Sequence, residues 1–188
     1  MRQDIIDYLQ SEIKRRCELS SNFFGMGCFY HIKAVVDNAV MLAKQFGADE
    51  EIVVIIAAWL HDVASITDYN LYEEHHMHGA EMAKEVLEKF DYDKEKIAQV
   101  QSYVLNHRGS KPVERLSIEE LCVADADAIS HFDNVPSLLY LAYVKRNLGI
   151  DEGKEFVKAK LIRSYEKLSA ESKNFYREKY EQVMNVLN

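Results

Sequence analysis

A His-Asp pair, His61-Asp62, closes an almost wholly apolar run, Ile52-Val53-Val54-Ile55-Ile56-Ala57-Ala58-Trp59-Leu60. Such a segment is buried, and a buried unpaired carboxylate is costly enough that it finds a cation or shifts its pKa. Adjacent residues at the last turn of a helix point about 100° apart, yet both side chains can converge on one ion beyond the helix end. The pair therefore reads as half of a metal site. His31 and Asp127 are candidates for the other half. Asp127 lies in a second apolar segment holding carboxylates, Leu121-Cys122-Val123-Ala124-Asp125-Ala126-Asp127-Ala128-Ile129. Asp125 and Asp127 stand two apart on a helix and face different ways, so only one is expected to bind.

Other histidines and cations cluster near these motifs. His75, His76 and His78 open a helix, and His107 follows Val104-Leu105-Asn106. From residue type alone these read equally as a solvated helix start and a polar helix end, and His131 as surface or core filler. Lys33, Arg108 and Lys111 are the basic residues nearest the motifs, available to contact phosphate or to remain solvated surface charge.

Helices must position all of these groups. Ile5, Leu9 and Ile13 recur at i+4 in a first helix over 2–18. A loop over 20–27 precedes a second helix over 29–46, which Gly47 ends. Asp49-Glu50-Glu51 supplies an acidic first turn for the buried third helix. Residues 64–74 are polar and read as an irregular loop over the site. Further helices are expected over 76–90 and 93–106, and Arg108-Gly109-Ser110-Lys111-Pro112 is the clearest break. Ser117-Ile118-Glu119-Glu120 fits a capping box opening a sixth helix to about residue 132. Amphipathic helices over 136–148, 151–168 and 171–187 complete an all-α single-domain bundle of about eight or nine helices. The motif core spans 29–133 of 1–188, and 136–188 forms a helical C-terminal extension.

Composition bounds the function. The 188 residues contain only two prolines and seven glycines, 48% are hydrophobic and 29% charged, as a mainly helical domain requires. A net charge of −8 gives no basic footprint for a nucleic-acid scaffold. A phosphorylated substrate would have its charge met locally, by a metal or a few lysines and arginines. Cys17, Cys28 and Cys122 are far apart with no CxxC, which suits free thiols. With no signal-peptide pattern and no apolar run near the ~20 residues of a membrane span, a cytoplasmic location is expected. The long amphipathic helices at both termini offer a face for a homodimer.

Together, His31, His61-Asp62 and Asp127 resemble the H…HD…D signature of the HD-domain superfamily of metal-dependent phosphohydrolases, over residues 30–132. The flanking text is similar as well: His31-Ile32-Lys33-Ala34-Val35, Gly47-Ala48-Asp49, Ala57-Ala58-Trp59-Leu60-His61-Asp62-Val63 and Ala126-Asp127-Ala128-Ile129. The resemblance implies His31, His61, Asp62 and Asp127 as ligands of one divalent metal, and it selects Asp127 over Asp125. Mixed imidazole and carboxylate ligands suit Mn, Fe, Co, Ni or Zn better than Ca, and Mg is a further candidate for the one ion, or two, that the resemblance implies. His75, in His75-His76-Met77-His78-Gly79-Ala80, looks like the H-x-x-x-G-A element of relatives with two metals, and His107 resembles the histidine that their next helix supplies. In relatives with one metal the same positions bind the substrate phosphate or relay protons.

The implied reaction is phosphoryl hydrolysis of a small phosphorylated molecule such as a nucleotide. The ion lowers the pKa of water to about 7, Asp62 binds metal and accepts a proton, and His75 or His107 protonates the leaving oxygen. Small nucleotide hydrolases of the superfamily carry an Arg three residues after the first histidine, where this chain has Ala34. The cyclic-dinucleotide phosphodiesterases match poorly, because Val63-Ala64-Ser65 and Asn106-His107-Arg108 replace their motifs. A di-iron oxygenase of the same fold, using all six of His31, His61, Asp62, His75, His107 and Asp127, is an alternative. A non-catalytic nucleotide-sensing module is another. A ferritin-like bundle needs two Glu-x-x-His motifs, and only Glu73-Glu74-His75-His76 supplies one.

Overall fold

Apolar residues at every fourth position dictate the first helix. The computed structural model of the chain, which describes residues 2–48, 51–108 and 115–188, shows it as α1 (Gln3–Glu18), burying Ile5, Leu9, Ile13 and Cys17. α2 (Met26–Phe46) buries Ile32, Val35, Ala39 and Leu42 along one stripe. Gly47, at φ 69°, ends α2 in the left-handed conformation that favours glycine, and the Ala48 N–H bonds back to Ala43 O at 2.9 Å.

α3 (Glu51–Leu60) lies at the centre of the molecule. Its Val54, Ile56, Ala57, Ala58, Trp59 and Leu60 are all buried, as a helix apolar on every side must be. It packs against α1, α2, α6 (Lys94–Asn106) and α7 (Ile118–Asp133). Asp93 caps α6 by accepting from the Glu95 and Lys96 N–H groups, and Ser117 caps α7 by accepting from Glu120 N–H. The most extensive helix pairs are α2 on α7, and α5 (His75–Glu88) on α6.

The polar stretch 64–74 departs from the expected irregular loop. It forms α4 (Val63–Thr67) and a 3-10 segment (Tyr69–Glu74). Its polar side chains satisfy backbone groups locally rather than breaking the helix. Ser65 and Thr67 hydroxyls donate to Asp62 O and Val63 O at 2.9 and 2.6 Å, and Asp68 accepts from Asn70 N–H. This extra helix raises the count to ten α-helices among the described residues.

Past α7, the segment expected to be one helix divides into α8 (Val135–Tyr140) and a π-helical turn (Leu141–Lys145). α9 (Ile150–Lys167) and α10 (Ala170–Val186) pack back onto α7. The described residues contain no strand, so the fold is all-α. None of their helices is long and apolar enough to cross a membrane.

Candidate metal centre

Five elements deliver six side chains to one place. α2 carries His31, the end of α3 presents His61 and Asp62, α5 opens with His75, His107 follows α6, and α7 carries Asp127. Gly79 lets α5 cross close to the end of α3: a Cβ there would meet Val104 Cγ1 at 3.2 Å and His61 O at 3.6 Å. That approach brings His75 to Asp62.

The orientation of the imidazoles follows from their outer nitrogens. His61, His75 and His107 place Nδ1 at 2.7, 2.7 and 2.5 Å from the carbonyls of Ala58, Tyr72 and Val104. A carbonyl can only accept, so each Nδ1 carries a proton, and in the neutral ring each Nε2 presents a lone pair. His31 does the same through a hydroxyl. Ser130 Oγ donates to Asp127 O at 2.6 Å and accepts from His31 Nδ1 at 2.9 Å. Metal-binding histidines are held in this way, with the outer N–H on a carbonyl or other acceptor.

The four Nε2 atoms converge on two carboxylates. His31 Nε2 lies 3.4 Å from Asp127 Oδ1 and 3.7 Å from Asp62 Oδ2, and His61 Nε2 lies 3.4 Å from Asp62 Oδ2. On the other Asp62 oxygen, His75 Nε2 stands 3.4 Å from Oδ1 and 3.2 Å from His107 Nε2. Bonds of about 2.1 Å to an ion put neighbouring donors about 3.0–3.4 Å apart, so these separations fit a coordination shell. His61 Nε2 is buried with no hydrogen bond among the described residues, and an ion would satisfy it. Two groups of three ligand atoms share Asp62: His31-His61-Asp62 and Asp62-His75-His107. Asp127 joins the first through His31.

Electrostatics agree with a cation site. Burial opposes ionisation of Asp62, but His61, His75 and His31 outweigh it and hold the carboxyl well below its usual range. Burial likewise opposes Asp127, whose carboxyl is held down by Lys167 and by the His31 hydrogen bond. For His61, burial is outweighed by Asp62 and Asp127, which raise its pKa. Burial, with His61 and His75 alongside, pushes His107 well below the ordinary histidine value. That favours the neutral imidazole, whose Nε2 lone pair suits a metal ion.

Asp125 faces away from this centre. Its carboxylate accepts from Ser169 N–H at 3.1 Å and Ser169 Oγ at 2.5 Å, tying α7 to the start of α10. Among the clustered histidines of α5, His75 reaches the centre, while His78 lies 3.9 Å from Glu74 at the surface. His131, expected as surface or core filler, is buried beside His31 with ring centroids 4.7 Å apart. With His31 and Asp127 it forms a third group of candidate ligands.

Of the three expected phosphate contacts, Lys33 does not reach the site. It stands two residues after His31, about 200° around the helix, and its ammonium pairs with Asp37 at 2.7 Å on the exposed side. Arg108 lines the cavity beside the centre and donates to Glu73 O. Lys111 lies outside the described residues.

Sequence reasoning missed the contribution of α9. A cavity of about 670 Å³ opens over the metal centre, and Lys160, Arg163 and Lys167 of α9 line it, along with Arg146. Lys167 Nζ sits 2.5 Å from Asp127 Oδ2, which leaves Oδ1 facing His31. The spacing i, i+3, i+7 was legible as one cationic helix face in an acidic chain. A second cavity of about 100 Å³ adjoins the first through His31, Asp62, Tyr72 and Lys160, with Phe24, Leu138 and Leu141 as apolar walls.

The family model described as "HD domain" matches residues 28–131, which include all six converging side chains. No curated protein matches the chain. Among solved structures, the crystal structure of Bacillus subtilis YpgQ is similar at 18% identity and a TM-score of 0.71, covering 98% of this chain and 92% of that one. At that identity the likeness concerns the fold.

Proposed function

The chain belongs to the HD-domain family, and from that premise we propose that it is a metal-dependent phosphohydrolase. It cleaves a phosphate ester or anhydride of a small molecule, a nucleotide or a close relative of one. The observation that carries this reading is the arrangement of four imidazoles, each with its outer nitrogen engaged and its Nε2 turned toward Asp62 or Asp127. Four lone pairs and two ionised carboxylates form a cavity wall built for divalent cations.

In this reading His31, His61, Asp62 and Asp127 hold one ion, and Asp62, His75 and His107 hold a second. Ions held there supply acidified water and offset the charge of the phosphoryl oxygens. The chain's own residues set the geometry. Asp62 turns one oxygen to each histidine pair and is the nearest carboxylate to accept a proton from the attacking water. Lys167 fixes Asp127 by its second oxygen. Lys160 and Arg163 give the cavity the positive charge that a phosphorylated substrate needs.

A second reading rests on the same six residues: four His and two Asp match the ligand set of a di-iron oxygenase on this fold. The cationic α9 wall favours the hydrolase. Elemental analysis of the purified protein, followed by a phosphate-ester panel with Mn, Ni, Co and Mg, tests the proposal. Phosphate release that disappears in His61→Ala and Asp62→Ala supports it. Oxygen consumption with iron and no phosphate release supports the oxygenase.

A further inference from the structure

The smaller cavity, of about 100 Å³, is a compartment of its own. It meets the larger one at His31, Asp62, Tyr72 and Lys160, but Phe24, Gly27, Ser65, Asn134 and Ser137 line only the smaller. Arg108, Arg146, Arg163 and Lys167 line only the larger. The compartment therefore opens on the His/Asp cluster and lies away from most of the cations.

Its walls are aromatic and aliphatic. The rings of Phe24 and Tyr72 meet at 5.6 Å and 45°, with Leu138 and Leu141 alongside. Tyr72 also stacks on His75 at 5.7 Å and 19°, which fixes this wall relative to the metal centre. Two polar side chains in the compartment are uncommitted. An asparagine that precedes a helix ordinarily turns its side chain onto the backbone of the next turn, but that of Asn134 makes no such bond. Neither its amide nor the Ser137 hydroxyl hydrogen-bonds to a described residue. Ser65 and Ser130, by contrast, are spent on the Asp62 and Asp127 carbonyls.

Size and chemistry narrow the ligand. A water needs about 10–15 Å³ of such space, so the compartment takes on the order of seven to ten heavy atoms, one or two small rings. A sugar would set hydroxyls without partners against Phe24, Leu138 and Leu141. A flat heteroaromatic ring presents apolar faces to those walls and a polar edge to Asn134, whose amide both donates and accepts.

We propose that this compartment receives the base of a nucleotide whose phosphate lies at the His/Asp cluster, with Asn134 and Ser137 reading the edge of the base. The place of the phosphate rests on the hydrolase reading above. The substrates are then nucleotides and not sugar phosphates. Asn134 touches the base and not the reacting atoms, so its replacement acts on affinity and on the ranking of bases more than on kcat.

The test is saturation-transfer NMR and affinity titration of the metal-loaded protein with adenosine, guanosine, cytidine and uridine, and with ribose as the base-free control. None of these carries a phosphate, so binding is read without turnover. Base protons are expected to receive more transfer than ribose protons in at least one nucleoside, and ribose alone to bind no better than background. Asn134→Leu keeps the volume and removes the amide, and is expected to weaken the tightest nucleoside at least about fivefold. Asn134→Asp, which removes the donor, is expected to change the ranking of the four. Equal transfer to ribose, or wild-type affinity and ranking in both variants, overturns the proposal. The backbone bonds of Asn134 to Ser130 and Ser137 do not involve its side chain. Should Asn134→Leu nevertheless fail to fold, Ser137→Ala decides, with an expected loss of at least about threefold. Nucleoside binding that depends on Asn134, with no turnover on any phosphate substrate, keeps the compartment and removes the hydrolase reading. Nucleotide turnover at the kcat/KM of ribose 5-phosphate, unchanged in Asn134→Leu, does the reverse.

Discussion

His75 Nε2 and His107 Nε2 face each other at 3.2 Å, while both rings point their Nδ1–H groups away, to Tyr72 O and Val104 O. Two neutral imidazoles in these tautomers set lone pair against lone pair, an arrangement that calls for a cation between them. His107 is pushed well below the ordinary histidine pKa by burial and by His61 and His75, so a shared proton is a poor substitute. His75→Ala and His107→Ala are each expected to lose one of two bound ions, and Asp62→Ala to lose both. Metal content by elemental analysis checks this, and a full complement in either histidine variant contradicts it.

Removing the bound metal should also destabilise the fold. An ion that binds the folded chain at 100 times its Kd contributes about 2.7 kcal/mol. For a chain of this length that corresponds to a fall in Tm of roughly 5–10 °C on chelation. A melting curve unchanged by chelator would show that the His/Asp cluster holds no ion in the folded chain.

Ser130 holds His31 by accepting its Nδ1–H. Ser130→Ala removes that acceptor without adding bulk, and frees the ring to turn or change tautomer. Losing such an outer partner typically weakens metal binding by about 10–100-fold. The expected outcome is that loss of affinity with near-native helicity by circular dichroism.

The two carboxylates of α7 should separate by assay. Asp125→Ala leaves the Ser169 N–H without its acceptor and loosens α10, at a cost of about 1–3 kcal/mol, with metal content intact. Asp127→Ala is expected to lower metal content, with a smaller change in the metal-free melting temperature. Thermal unfolding and elemental analysis of both variants distinguish the roles, and the reverse pattern would exchange them.

Far from the centre, Glu12 bonds Arg15 and Arg16, and Arg16 reaches Thr67 of α4. The Arg15 hydrogen bond, with Arg16 beside it, brings the Glu12 carboxyl from 4.5 down to about 2 against a smaller opposing effect of burial. A depressed folded pKa gives stability that is complete above the unfolded value and disappears as pH falls through the folded one. The stability difference between wild type and Glu12→Gln should therefore be constant above about pH 5 and shrink between pH 4.5 and 2. Its size is expected near 1 kcal/mol, because solvent screens the exposed Arg15. Urea titrations at several pH values measure it.

Taken alone, the sequence determined that the molecule is helical and that His61-Asp62 closes its buried central helix. Both follow from local chemistry: an apolar run with no polar face must go inside, and it ends at the adjacent His-Asp. His31, His75, His107 and Asp127 were legible as a set only through the resemblance to the HD-domain motifs. Tertiary packing decided which atoms meet. Asp125 and Asp127 differ in sequence only by their fit to the family motif, and the approach of α10 to one side of α7 and of Lys167 to the other gives the physical separation. Lys33 is close to His31 in sequence but on the far side of its helix, whereas Lys160 and Arg163 lie about 130 positions away and reach the cavity because α9 folds back over α7. Proximity along the chain predicts contact within one helical turn, and beyond that only the packing of helices brings charges together.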